Sequence, residues 1–293
     1  MNTENANIIG IDLGGTKSVL ARYNAHDLSL QKTVSLPSHA GDSWDRVYAK
    51  LLEAITELQT EDTVGIGIGV PGFVRKKDGT VVALPNIENA KDISLKQNME
   101  RDTGVLVCVD NDANLFTLAE ALHSPYAQEG VVVGITLGTG VGGGVVINGQ
   151  LLRGTNGFAG EVGHMLLQPG CPPFKTDDKR GEVEQFLSGT AFAKRCNNAE
   201  SPEDYLEGEA CAPMHKDIIR EAAWMCVNLH TLLDASVIIF GGSAGKALDT
   251  YLPAITEETQ AWLPSGLTAP TLQQASLEDS ATRGAALCIK NQI

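Results

Sequence analysis

The sequence predicts an α/β protein of two lobes, each opening with a β-hairpin. Short apolar runs of strand type alternate with runs at helical spacing. A strand, glycine-rich turn, strand pattern occurs at residues 8–23 and again at 131–147, far too widely separated for a short solenoid repeat. The 293 residues, at roughly 100–200 per domain, suggest about two domains. The expected boundary puts 1–119 in an N-terminal lobe and 120–293 in a C-terminal one, near the His123-Ser124-Pro125 break. A final helix over about 281–293 is expected to pack back on the first lobe.

Ile8-Ile9-Gly10-Ile11-Asp12-Leu13 reads as the first strand, Gly14-Gly15-Thr16-Lys17 as a tight turn and Ser18 to Tyr23 as the return strand. Gln31 to Leu36 offers a third. Val47, Leu51, Ile55 and Leu58 recur at helical spacing behind Ser43, a plausible N-cap. Val64 to Val70 is a strand interrupted by Gly65, Gly67 and Gly69, which suggests a backbone that something approaches closely. Val105 to Val109 is a short strand ending in Asp110-Asn111-Asp112-Ala113-Asn114, and a helix follows through Ala121. In the second half Val131 to Leu137 is a buried-type strand. Asn148-Gly149 is a type I′ hairpin signal. Ile218, Ile219, Ala222, Cys226, Leu229 and Leu233 mark a helix from about His215 to Leu233, Val237 to Phe240 is a strand, and the last helix runs from about Ala281 to Ile289.

Composition narrows the function classes. There are 22 basic and 36 acidic residues, a net charge of −14, which argues against holding nucleic acid or an anionic membrane by bulk charge. No run approaches the ~18–20 apolar residues of a membrane span. The polar start, Met1 to Asn7, lacks a basic n-region, so the expected location is cytoplasmic. The six cysteines, Cys108, Cys171, Cys196, Cys211, Cys226 and Cys288, contain no C-x-x-C. They read as free thiols in a reducing compartment.

The 31 glycines among 293 residues exceed the usual ~7%, and they cluster after apolar strands. Gly14, Gly15, Thr16 and Lys17 expose backbone N–H groups and a hydroxyl that suit an anion. Asp12 is placed to hold Mg²⁺ through water. Gly138, Thr139 and Gly140, continued by Gly142 to Gly144, read as a second anion-facing turn, and Gly241, Gly242 and Ser243 as a third. Each turn alone also reads as an ordinary hairpin. Neither a Walker A sequence nor a dinucleotide fingerprint is present.

Ile11 to Lys17, Gly69-Val70-Pro71-Gly72, Asn111 to Asn114, Gly138 to Gly144, Ala159 to His164, Glu184 to Gly189 and Gly241 to Ser243 together resemble the ROK family of repressors and sugar kinases, over Ile8 to about Ile289. The resemblance implies the two-lobed actin-like (ribonuclease H-like) ATPase fold, closing on a sugar and ATP. The N-terminal lobe would carry sugar and phosphate contacts and the catalytic aspartate. The C-terminal lobe would bind ATP and supply a sugar-binding Glu and His. The reaction implied is phosphoryl transfer from ATP to a hexose or N-acetylhexosamine hydroxyl, most simply on C6, with Asp112 as general base. On its own Asp112 equally reads as a helix N-cap. Sugar contacts carry over to Gly72, Asn86, Asn111, Glu161, His164 and Glu184. Family repressors place a helix-turn-helix before the first strand, and a strand starting at about residue 8 leaves no room for one. A homodimer is the family's expectation. The alternatives are a catalytically silent sugar-sensing protein or regulator and a chaperone- or actin-like ATPase.

Two departures from the family stand out. Many members hold a structural zinc with the His of Gly-Glu-x-Gly-His and three cysteines in C-x-C-G-x-x-G-C. Lys175, Asp177 and Glu182 stand where those cysteines would be, so no structural zinc is expected. Glucose-type members often carry a Trp shortly after the Asn matched by Asn86. None follows it, and glucose specificity does not carry over.

Overall fold

Ile8, Ile9, Ile11 and Leu13 are all fully buried, which suits a central strand covered on both faces. The structure is a computed structural model and describes residues 5–14, 17–37, 41–84, 87–197, 199, 202–206 and 208–293. The chain divides into two compact units. Unit 1 comprises residues 1–119, 152–159 and 277–293, and unit 2 comprises 120–151 and 160–276.

In unit 1, β1 (Asn7–Leu13), β2 (Ser18–Asn24), β3 (Leu30–Leu36), β4 (Thr63–Val70) and β7 (Leu106–Asn111) form one sheet in the order β3-β2-β1-β4-β7. The first three pair antiparallel, and β1, β4 and β7 run parallel. A small ribbon joins β5 (Val81–Ala83) to β6 (Lys91–Ile93). Helix α1 (Trp44–Leu58) buries Val47, Leu51, Ala54, Ile55 and Leu58, so the spacing in the sequence is the core-facing stripe. Helix α2 (Leu95–Thr103) precedes β7, and α3 (Asp112–His123) leaves it.

Unit 2 repeats the topology. Strands β8 (Val131–Leu137), β9 (Val141–Ile147), β10 (Gln150–Leu151), β11 (Val237–Gly241) and β12 (Thr271–Gln274) lie in the order β10-β9-β8-β11-β12. Again the first three are antiparallel and the rest parallel. The duplication seen as a repeated hairpin is a duplication of the whole five-stranded sheet. At the β9–β10 turn Asn148 has φ 49° and Gly149 φ 76°, the pair of positive values that a type I′ turn requires. The helices are α4 (Val183–Leu187), α5 (Gly189–Arg195), α6 (Ala212–Leu233), α7 (Ser243–Ala247) and α8 (Leu252–Trp262).

The last helix, α9 (Ser280–Lys290), belongs to unit 1. It explains the glycines of β4. A Cβ on Gly67 would overlap the carbonyl of Ala285, and one on Gly65 would lie 2.5 Å from Cγ1 of Ile289. The close neighbour is therefore the protein's own helix. Among the described residues, no helix is long and apolar enough to cross a membrane.

The expectation of six free thiols is corrected. Cys108 of β7 is paired with Cys288 of α9, Cα atoms 6.1 Å apart, and Cys196 with Cys211, 5.8 Å apart. Both separations suit a disulfide. The cause is packing: α9 lies across β7, which brings together residues 180 apart in sequence. Cys171 and Cys226 remain free, the first exposed and the second buried.

Candidate active site

The parallel strands of unit 1 end in step. Asp12 of β1 is in register with Gly69 of β4, and Gly69 with Asp110 of β7. Neighbouring strands lie about 4.8 Å apart, so Asp12, the Pro71-Gly72 turn and the Asp110-Asn111-Asp112 corner share one sheet edge. Open α/β sheets receive ligands outside the carboxyl ends of their parallel strands, at the point where the strand order reverses. Here it reverses at β1, which has β2 and β3 on one side and β4 and β7 on the other.

Asp112 is the first residue of α3, and Asn111 caps the helix. Oδ1 of Asn111 accepts from the N–H of Ala113 at 2.9 Å and of Asn114 at 3.1 Å. The N-cap role that Asp112 offers when read alone is taken by Asn111. The Asp112 Oδ1 accepts from the N–H of Ala113 at 2.8 Å. Nδ2 of Asn111 donates to the carbonyl of Gly72 at 3.1 Å, which ties the β4 turn to the β7 corner. Gly72 has φ 125°, a conformation that demands glycine.

Burial pushes the Asp12 carboxyl up from 3.8 to about 6, with Lys17 pulling it down. A carboxylate so poor in compensating charge suits a hydrated Mg²⁺, which binds through one or two carboxylates and keeps several waters. At Gly14 a Cβ would fall 2.5 Å from the carbonyl of Lys17, so the turn needs glycine there. Gly15, Thr16 and Asn86, three of the expected ligand contacts, lie outside the described residues.

In unit 2 the matching edge carries two more of the expected turns. Gly138 N–H donates to the carbonyl of Gly140 at 3.0 Å, closing a tight turn between β8 and β9. This turn is shorter than the sequence suggested. Gly142, Gly143 and Gly144 are strand residues of β9, paired with Thr136, Ile135 and Gly134. Gly143 is glycine because a Cβ would meet Val162 at 2.5 Å and the carbonyl of Gly160 at 2.6 Å. Gly241 ends β11 in register with Thr136. Gly242 has φ 83° and abuts the backbone of Leu137, and Ser243 starts α7. The turns at 138–140 and 241–243 are thus neighbours.

Glu184 sits on the first of them. Its Oε2 accepts from the N–H of Val141 at 2.9 Å and would lie 2.5 Å from a Cβ on Gly140. The carbonyl of Gly138 accepts from Gly189 N–H at 2.7 Å, and that of Thr139 from the Thr190 hydroxyl at 2.7 Å. Glu161 precedes the short 3₁₀ turn Val162–His164. Burial raises its carboxyl above the usual range, His164 opposes this, and Glu184 adds to it. His164 and Glu184 therefore both act electrostatically on Glu161.

The donor set at the expected zinc position does not fit the metal. Glu182, whose side chain is only 4% exposed, accepts from Nδ1 of His164 at 3.1 Å and pairs with Nη1 of Arg180 at 3.0 Å. A guanidinium thus occupies the side a cation would take. Glu182 also forms a capping box with Gln185 at the start of α4. Lys175 and Asp177 are exposed. No group of three or more His, Cys, Asp or Glu among the described residues is arranged to hold a metal ion. Hydrogen bonds from Leu167 and Gln168 to the carbonyl of Gly181, and from Gly170 to that of Lys179, close the 165–183 loop as a hairpin.

Comparison with known proteins gives the arrangement its relatives. Residues 8–292 match the sequence profile of the ROK family. The N-acetyl-D-glucosamine kinase of Erwinia tasmaniensis is 34% identical, the match covering 94% of this chain and 97% of that protein. The enzyme of the same name from Pasteurella multocida is 31% identical over the same shares. Among solved structures, the ROK hexokinase of Thermus thermophilus superposes with a TM-score of 0.81 at 30% identity, over 96% of this chain and 97% of that one. A ROK glucokinase from Streptomyces griseus, in complex with glucose and AMPPNP, superposes with a TM-score of 0.76 at 27% identity, over 98% and 100%. With motifs, duplicated sheets and sequence profile in agreement over nearly its whole length, the chain belongs to the ROK family.

Proposed function

We propose that this protein is an ATP-dependent sugar kinase that phosphorylates the C6 hydroxyl of N-acetylglucosamine or a closely related hexose. The observation that supports this most is the shared edge of β1, β4 and β7, where Asp12, Gly72, Asn111 and Asp112 stand together in a member of the ROK family. The acetamido sugar is favoured by relatives named for it at 31–34% identity.

Phosphoryl transfer asks the protein for positioning, charge neutralisation and a base on the hydroxyl. Asp112 takes the proton of the sugar C6 hydroxyl as the oxygen bonds to the γ-phosphorus and ADP departs. Asn111 and the Gly72 backbone take other hydroxyls of the sugar. Glu161, His164 and Asn86 are assigned the same role on resemblance alone. Backbone N–H groups of the glycine turns receive the phosphates, and Gly242 and Ser243 receive the nucleoside end. Mg²⁺ held through water at Asp12 would supply charge neutralisation on the phosphates.

A coupled assay of ADP release over a panel of hexoses and N-acetylhexosamines tests the reading. ADP release should require a sugar and be greatest with N-acetylglucosamine. Asp112→Asn should lower kcat by about 10²–10⁴-fold, as loss of a general base does. Calorimetric sugar binding without turnover on any member of the panel would instead show a silent sensor. Sugar-independent hydrolysis would show a plain ATPase.

A further inference from the structure

We infer that Arg153 is a positioning residue for Asp112, acting through the buried carboxylate of Asp110. The inference rests on the proposed role of Asp112 and adds a residue that the family motifs do not single out. Asp110 is the penultimate residue of β7, and its side chain is 7% exposed. Its two oxygens are divided between two tasks. Oδ1 accepts from the N–H of Asn111 at 2.8 Å and from Nδ2 of Asn114 at 3.0 Å, which fixes the corner on both sides of Asp112. Oδ2 accepts from Nε of Arg153 at 2.7 Å. A buried carboxylate needs a cation, and taking that cation away leaves an uncompensated charge. Arg153 is the only cation within ion-pair distance of Asp110 among the described residues.

Arg153 is held for this work by its own segment. Residues 152–159 belong to unit 1, although the chain on both sides of them belongs to unit 2. Lys76 N–H donates to the carbonyl of Asn156 at 3.1 Å, and Lys76 Nζ to that of Gly154 at 3.3 Å. Phe158 meets Phe73 edge-to-face with ring centroids 5.2 Å apart. Gly157 has φ 101°, and a Cβ there would lie 2.5 Å from the carbonyl of Val74. The segment is therefore fastened to residues 73–76, directly after Gly72. Gly72 in turn is tied to Asn111. Arg153 closes the circuit from the β4 turn, through its own segment, to Asp110 and the corner that carries Asp112.

The test compares Arg153→Ala, Arg153→Lys and the double variant Arg153→Ala with Asp110→Asn, by steady-state kinetics and by amide exchange of the peptides over 108–116. Misplacement of a reacting group by about 1 Å costs about 10²-fold in rate. Arg153→Ala should therefore lower kcat about 10²-fold while KM for sugar stays within about threefold. Free guanidinium in the assay should recover at least about tenfold of that loss, since it restores the missing cation. The double variant should also recover, because a neutral amide at 110 needs no cation. The amides of Asn111, Ala113 and Asn114 should exchange faster in Arg153→Ala, while the β8–β11 ladder keeps its protection. Native kcat with native exchange in Arg153→Ala would overturn the inference. So would a loss that neither guanidinium nor Asp110→Asn restores, since that marks a purely structural role. If the wild-type protein phosphorylates no sugar, the role of Asp112 falls, and the exchange measurement alone decides whether Arg153 holds the corner.

Discussion

Replacing Asp12 by Asn should make the ligand-free protein more stable and the enzyme worse. Burial raises the Asp12 carboxyl from 3.8 to about 6. At about 1.4 kcal/mol per pH unit, that rise corresponds to at most about 3 kcal/mol. The sign follows from proton linkage. Between pH 3.8 and about 6 the folded state binds the proton more tightly than the unfolded chain does. The stabilisation that goes with the bound proton is complete below 3.8 and is lost as pH rises through about 6. At neutral pH the folded protein therefore carries an ionised, poorly compensated Asp12. Asn has nearly the same shape and no charge, so it removes that cost. For a unit of roughly 150 residues, ~3 kcal/mol moves the melting midpoint by about 6–12 °C at most. The assay is thermal unfolding of both proteins at pH 5 and pH 7.5 without nucleotide. The variant's advantage at pH 5 should be about half of that at pH 7.5, because the cost builds up between pH 3.8 and about 6, and it should be accompanied by loss of Mg²⁺-dependent turnover. A variant less stable than the wild type at pH 7.5, or an advantage indifferent to pH, would refute the reasoning.

Glu182→Gln should loosen His164 and raise KM for sugar about tenfold with a smaller change in kcat, the split expected when binding contacts are lost rather than the chemical step. A zinc-selective chelator should leave wild-type activity unchanged, because Glu182 stands at a cysteine position and is already paired with the Arg180 guanidinium; loss of activity that zinc restores would contradict this. Gly67→Ala should destabilise unit 1 by about 1–3 kcal/mol or more, since its methyl would overlap the Ala285 carbonyl and lift α9 from β4. Chemical denaturation reads this directly, and an unchanged midpoint would show that α9 does not pack there.

What the sequence made legible was what is local. The hairpins β1–β2 and β8–β9 announce themselves because an apolar run, a glycine turn and a second apolar run are contiguous. The stripe of α1 and the capped start of α3 are equally local. Helix α6 begins at Ala212 rather than near His215 because Pro213 is tolerated in a first helical turn. The glycines of β9 read as a turn in the sequence yet are strand residues: Gly143 is small to admit Val162, a residue 19 positions on, and nothing in the run itself says so. Non-local partners stayed hidden. Asp110 and Arg153 are 43 residues apart, and Cys108 and Cys288 are joined only once α9 returns to unit 1. Glu182 could be recognised as standing at a cysteine position, but its pairing with His164 and Arg180 needs the folded hairpin of residues 165–183.

The most direct measurement is the product formed from ATP, Mg²⁺ and N-acetylglucosamine, with the 6-deoxy sugar as control. The account predicts one ADP per sugar, phosphate on O6 by ³¹P NMR, and no ADP release with the 6-deoxy analogue. ADP release that is equal with the 6-deoxy sugar, or without any sugar, would contradict it.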